Sequence, residues 1–162
     1  MEQTYKAFAD NDYEYLKDSI AFGLFANSMG AMAQNTSERY LKHIIFEGYG
    51  PEGVQEELQK EHILRTLSLN KLLGFIEEHQ IFHIEDREKD LISLANGYYF
   101  ETQYPGENAI ELTRYDLQKC MRSVETAKTV VEAFEHEREH STRENSLTED
   151  IDNRDTMDDD IR

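Results

Sequence analysis

A single cysteine in 162 residues, Cys120, excludes a disulfide within the chain and with it any fold that depends on internal cross-links. Only two prolines, Pro51 and Pro105, and long intervals without glycine leave too little punctuation for many short strands and turns, so an all-helical domain is expected. No stretch approaches the roughly 18 consecutive apolar residues of a membrane span. The opening MEQTYKAFADND has neither the basic start nor the apolar run of a signal peptide, and a cytoplasmic location without membrane contact is expected. Positive charge is scarce. Against 34 acidic side chains stand 17 Lys and Arg, a formal charge of −17 that repels nucleic acid at long range unless basic residues gather on one face. A free-standing protein that reads DNA sequence is therefore not expected.

The length suits one domain with room for a tail. At 38% apolar and 31% charged the chain has a core to bury but not a large one, and the polarity is uneven. Residues 141–162, STRENSLTEDIDNRDTMDDDIR, hold no aromatic residue and only four widely spaced large aliphatics, too few to offset the entropy of ordering them. A helical body over 1–138 followed by a disordered acidic tail over 139–162 is the expected division. From Glu135 onward 11 acidic residues face 4 basic ones, so −7 of the formal charge falls there and −10 remains in residues 1–134.

Apolar periodicity locates the helices. Leu117, Met121, Val124, Ala127, Val131 and Phe134 recur at three- and four-residue steps and predict a helix over about 114–138, opened by a capping box of Thr113 and Asp116. Phe25, Met29, Met32, Thr36, Tyr40 and Ile44 form one stripe of a second helix over about 24–47, with Gly48 as its left-handed stop. Ahead of it, Asp10 or Asn11 caps a helix whose Tyr13, Leu16 and Ile20 face inward. The leucine-rich segment after the turn at 48–53 reads as a helix with a break near Ser68 to Asn70, and another runs from about Asp86 to Phe100. Four to five helices with short connections predict an antiparallel up-and-down bundle.

The segment FADNDYEYLKDSIAFGLFANSMGAMAQNTSERYLKHIIFEG, with the core Glu38, Arg39, Tyr40, Leu41 and Lys42, resembles the first two helices of HEPN domains. His62, Ile63, Leu64 and Arg65 are similar to the family's histidine-leucine segment, and YYFETQYPGENAIELTRYDLQKCMRSVETAKTVVEAF to its tyrosine-proline loop and closing helix. The resemblance spans about residues 8–135. It implies a helical bundle, often dimeric, acting either as a nucleotide-binding accessory subunit of a minimal nucleotidyltransferase or as a ribonuclease of toxin–antitoxin and antiviral defence systems. The ribonuclease branch carries an arginine, four to six residues and then a histidine, and no arginine here meets that spacing. Arg39 comes nearest, with His43 after three intervening residues, and Gln103 stands where a loop arginine is common.

Several constellations carry chemistry. Arg39 and His43, four apart on a helix, share a face and with Lys42 could hold a phosphate, the histidine moving a proton near neutral pH; the plainer reading is a solvated positive edge. Tyr104, with Tyr98 and Tyr99 close by, could stack on a base or pack on the bundle end. His136, Glu137 and His140 match H-E-x-x-H, in which two histidines hold zinc and the glutamate activates water, but the third ligand and the dry cleft of a protease are missing from the end of a helix. His62, His79 and His83 read as helix-end or polar-face residues, and Cys120 as a small core residue. Phosphate-binding glycine loops are absent.

The expected function is a non-catalytic association and nucleotide-binding module, a homodimer or a subunit beside a nucleotidyltransferase-type partner, with Arg39, Lys42, His43 and Tyr104 as ligand residues and no cofactor. The alternatives are a diverged, metal-independent ribonuclease using Arg39 and His43, or an acidic protein that mimics nucleic acid.

Overall fold

The computed structural model describes residues 3–155, with side chains described as far as residue 148. The described residues form seven helices and no strand: α1 (Tyr5–Ala21), α2 (Ser28–Gly48), α3 (Val54–Leu64), α4 (Leu69–Glu78), α5 (Asp86–Ser93), α6 (Tyr98–Gln103) and α7 (Arg114–Asp155). They fall into two compact units, residues 1–131 and 132–162. The first is the helical bundle. The second holds the part of α7 from Glu132 onward, whose side chains are exposed throughout 136–148.

Helix α1 begins about six residues before the predicted cap. Thr4 supplies the cap instead, its hydroxyl accepting from the Ala7 amide at 3.1 Å, which frees Asp10 for a tertiary role. The Asp10 carboxylate accepts from the Tyr40 hydroxyl at 2.7 Å and from Lys6 Nζ at 2.7 Å. Leu16 faces inward as expected, whereas Ile20 is 37% exposed and Ser19 takes the buried position beside it. Gly23, at φ +75°, closes the helix, with the Leu24 amide reaching back to the Ser19 carbonyl.

Contacts between α1 and α2 pair Tyr5 with Phe46, Asp10 with Tyr40 and Asp12 with Arg39. One sequence falls as the other rises, so the two helices are antiparallel. Helix α2 is the centre of the bundle. The predicted stripe is only part of its buried surface: between Ala33 and Ile45, Gln34, Ser37, Glu38, Leu41, Lys42, His43 and Ile45 are buried as well as Thr36, Tyr40 and Ile44. Phe25 falls before the helix and is 39% exposed. Gly30 permits the closest approach, since a Cβ there would meet Leu112, Thr102 and Tyr98 at 3.1–3.3 Å. Gly48 is helical rather than left-handed, and the chain leaves in extended form at Tyr49. Lys60 replaces the glycine stop, its ammonium donating to the carbonyls of Phe46 and Tyr49 at 2.8 and 2.7 Å.

Polar side chains join the elements around α2. Gln34 donates to the Leu67 carbonyl at 2.6 Å and accepts from the Tyr99 amide at 2.8 Å. Ser123 of α7 donates to the Ile92 carbonyl at 2.6 Å, so the 2.9 Å contact between Ser37 and Ser123 has Ser37 as donor. The predicted helix over 54–79 is broken at 65–68, where the Ser68 hydroxyl caps α4. The predicted helix over 86–100 is two, because Gly97 turns left-handed at φ +99° and Asn96 accepts from the Leu69 amide at 2.9 Å. The capping box at the start of α7 is present in both directions, Asp116 N–H to Thr113 Oγ1 at 3.1 Å and Thr113 N–H to Asp116 at 3.0 Å.

Helix α7 buries Leu117, Cys120, Met121, Val124, Ala127 and Val131, and continues past residue 138 to Asp155. The expected tail therefore includes helical residues as far as 155, and its final residues, 156–162, lie outside the described part of the chain. No proline or glycine falls within residues 139–155 to interrupt the helix locally.

Candidate functional site

Arg39 and His43 point into one cleft. A single turn apart on α2, they line a hollow of about 400 Å³ with Phe46 and Glu47 of the same helix and Thr4, Tyr5 and Phe8 from the start of α1. The antiparallel pairing brings this about, because it places the N-terminal turn of α1 beside the C-terminal half of α2. The walls alternate in character. Phe8 and Phe46 are 38% and 51% exposed, and the Tyr5 ring meets Phe46 edge-on at 5.8 Å. Between these aromatic surfaces lie one guanidinium and one imidazole.

The guanidinium is anchored. Arg39 Nη1 donates to the Asp12 carboxylate of α1, which leaves other N–H groups of its planar fork for an acceptor in the cleft. Asp12 fixes the direction of the arginine and offsets part of its charge. His43 is buried at 5% exposure on the cleft floor. The amino end of α1 adds partial positive charge at the same mouth, since its first turn contains no acidic residue. Glu47 is the opposing negative group.

Lys42 and Tyr104 do not join them. The Lys42 side chain lies inside the bundle, 10% exposed, 3.6 Å from a Glu38 carboxylate that is 3% exposed. Burial pushes the Glu38 carboxyl up and the Lys42 ammonium down, while each charge partly restores the other and Gln34 donates to Glu38 at 2.9 Å. So α2 presents Arg39 and His43 to the cleft and directs Lys42 into the core, in place of the solvated basic edge of the plainer reading. Tyr104 follows α6, is 59% exposed and is not part of the cleft wall.

The remaining candidates separate by surroundings. Cys120 is fully buried and its thiol is pushed up to about 12 by loss of solvent, with the Asp116 charge adding to the effect, so it holds little thiolate near neutral pH. His79 packs on the rings of Phe75 and Tyr49, His83 lies 3.2 Å from Glu85, and His62 is exposed on α3. His136 and His140 face each other on the exposed part of α7 with Nε2 atoms 3.2 Å apart. No group of three or more His, Cys, Asp or Glu among the described residues is arranged to hold a metal, so a three-ligand protease centre is not formed there.

Sequence reasoning missed Asp12 and the aromatic walls. Asp12 lies 27 residues before Arg39 and gives no local sign of the pairing. Phe46 extends the apolar run Ile44-Ile45, and its position at the end of α2 was the available signal.

Comparison with known families finds the HEPN domain model matching residues 3–137. No curated protein and no solved structure matches the chain. No helix among the described residues is long and apolar enough to cross a membrane.

Proposed function

Because the chain belongs to the HEPN domain family, we propose that it is a nucleotide-binding association module that takes a nucleotide or an RNA end in the α1–α2 cleft and performs no cleavage. The observation that carries this reading is the convergence of Arg39 and His43 with the rings of Tyr5, Phe8 and Phe46 on one hollow. A guanidinium already oriented by Asp12 suits a phosphate, and an exposed ring face suits a base. The helix spacing argues against turnover: with three residues between arginine and histidine, the family's ribonuclease motif is incomplete. The module acts by association, as a homodimer or beside a nucleotidyltransferase-type partner, in a toxin–antitoxin or defence setting. The acidic extension beyond residue 138 is taken as a solubilising segment that the bundle does not need in order to fold.

Calorimetric titration with AMP, ATP and a 5′-phosphorylated RNA oligonucleotide at low salt tests the proposal. Binding is expected, lost in Arg39→Ala and weakened in Phe46→Ala. Equal binding by Arg39→Ala overturns the assignment of the cleft. The convergence of Arg39 and His43 is also what favours the second reading, a diverged ribonuclease, and RNA degradation abolished by Arg39→Ala would establish it instead. Sedimentation velocity, with and without residues 141–162, tests the association: one dimer in both forms is expected, and a monomer assigns the interface to another protein.

A further inference from the structure

Two histidines take no part in lining the cleft. His136 and His140 occupy one face of α7 within the second unit, both exposed, with Nε2 atoms 3.2 Å apart and ring centroids 4.4 Å apart. Two imidazole nitrogens at about 2.0–2.1 Å from one zinc-sized ion, with an angle between the right angle and the tetrahedral value, lie roughly 2.9–3.4 Å from each other. The pair therefore already has the separation of two ligands on a single ion.

The contact between the rings is one N–H···N hydrogen bond, in which one Nε2 already directs its lone pair at the other. Moving a single proton from Nε2 to Nδ1 of the donor ring exposes a second lone pair, and a turn of each ring away from the N···N line then aims both at one ion. The local charge favours a cation. Glu132, Glu135, Glu137, Glu139 and Glu144 outnumber Arg138 and Arg143 around the pair. Exposure of both residues leaves room for water in the remaining coordination positions.

We propose that His136 and His140 form a two-imidazole site for one late first-row divalent ion of the zinc, nickel and copper class. Imidazole selects these ions over magnesium and calcium, which prefer oxygen ligands, and copper binds most tightly among them. Of the H-E-x-x-H pattern only the chelate is retained; Glu137 has no ligand role and no hydrolysis is assigned. Since the two rings lie one turn apart, an ion held by both ties residues 136 and 140 into helical geometry and opposes fraying of this segment.

Zinc titration of the full-length chain, followed by the ring resonances of its six histidines, tests the site. The His136 and His140 signals are expected to move together and saturate at one equivalent, while amide exchange across that turn slows. Substituting His136→Ala or His140→Ala on an exposed face leaves the bundle folded and weakens zinc at least about tenfold, ~1.4 kcal/mol. Glu137→Gln leaves the affinity unchanged, and magnesium at the same concentration moves neither ring. Rings that stay still up to millimolar zinc overturn the proposal, as do single variants that bind zinc as the parent does, which would place the ion on carboxylates elsewhere. The cleft does not enter this experiment, so the proposed function is untouched by either outcome.

Discussion

Replacing Lys42 by methionine keeps its length and apolar stem and removes only the charge that faces Glu38. At 3.6 Å and an effective dielectric near 20, the lost attraction is about 4–5 kcal/mol. The stranded carboxylate, 3% exposed, has a cheaper escape than remaining charged: it takes up a proton. From the ordinary value of 4.5, protonation at about pH 7 costs roughly 3 kcal/mol, and this caps the loss of stability. At about pH 5 the same cost is near 1 kcal/mol. A raised carboxyl destabilises the folded state where the unfolded chain is ionised, so the deficit is full at neutral pH and disappears as the pH falls toward 4.5. Urea denaturation of Lys42→Met and the parent at both pH values measures it. The double variant with Glu38→Gln keeps an acceptor for Gln34, strands no charge, and is expected within about 1 kcal/mol of the parent. A Lys42→Met deficit below about 1 kcal/mol at neutral pH, or one that does not shrink on acidification, would refute the view that this pair is buried and mutually dependent.

Tyr40→Phe removes the hydroxyl that donates to Asp10 and costs about 1 kcal/mol. Burial raises the Asp10 carboxyl, but hydrogen bonds from Lys6 and Tyr40 outweigh it and hold the group below the ordinary 3.8. The stability this confers is present above the unfolded value and is lost as the pH falls through the folded one, so an acid titration below about pH 4 should destabilise the parent more steeply than Tyr40→Phe. Asp116→Ala breaks the capping box with Thr113 and lowers stability by about 0.5–2 kcal/mol in thermal or urea melts. Arg39→Ala removes a partly exposed ion pair and costs less than about 1 kcal/mol, so its expected loss of nucleotide binding does not come from unfolding. Cys120 should react with a thiol reagent only at the rate of global unfolding; rapid modification of the native chain would contradict its burial.

Local pattern was enough for some of this protein. The stripe of α7 and the Thr113–Asp116 box depend on residues within a turn or two of each other, and helix geometry alone brings them together. The i, i+4 spacing of Arg39 and His43 likewise puts both on one face before any neighbour is considered. The two halves of the Glu38–Lys42 pair share a face for the same reason, yet their burial could not be read, because periodicity finds the most apolar side of a helix and α2 is covered on nearly every side. Thr4 is the cap, and Asp10, inside the helix, accepts instead from Tyr40, thirty residues later, a contact that no local pattern announces. Gly97 was free to continue a helix or break it, and Asn96 reaching the amide of Leu69 accompanies the break. Helix class, the order of the segments and the faces turned on average toward solvent or core follow from residues close together in the chain. Tertiary structure decided which charges went inside, where each helix began, and that Arg39 and His43 open onto a cleft walled by α1, since those outcomes depend on contacts between residues far apart in the chain.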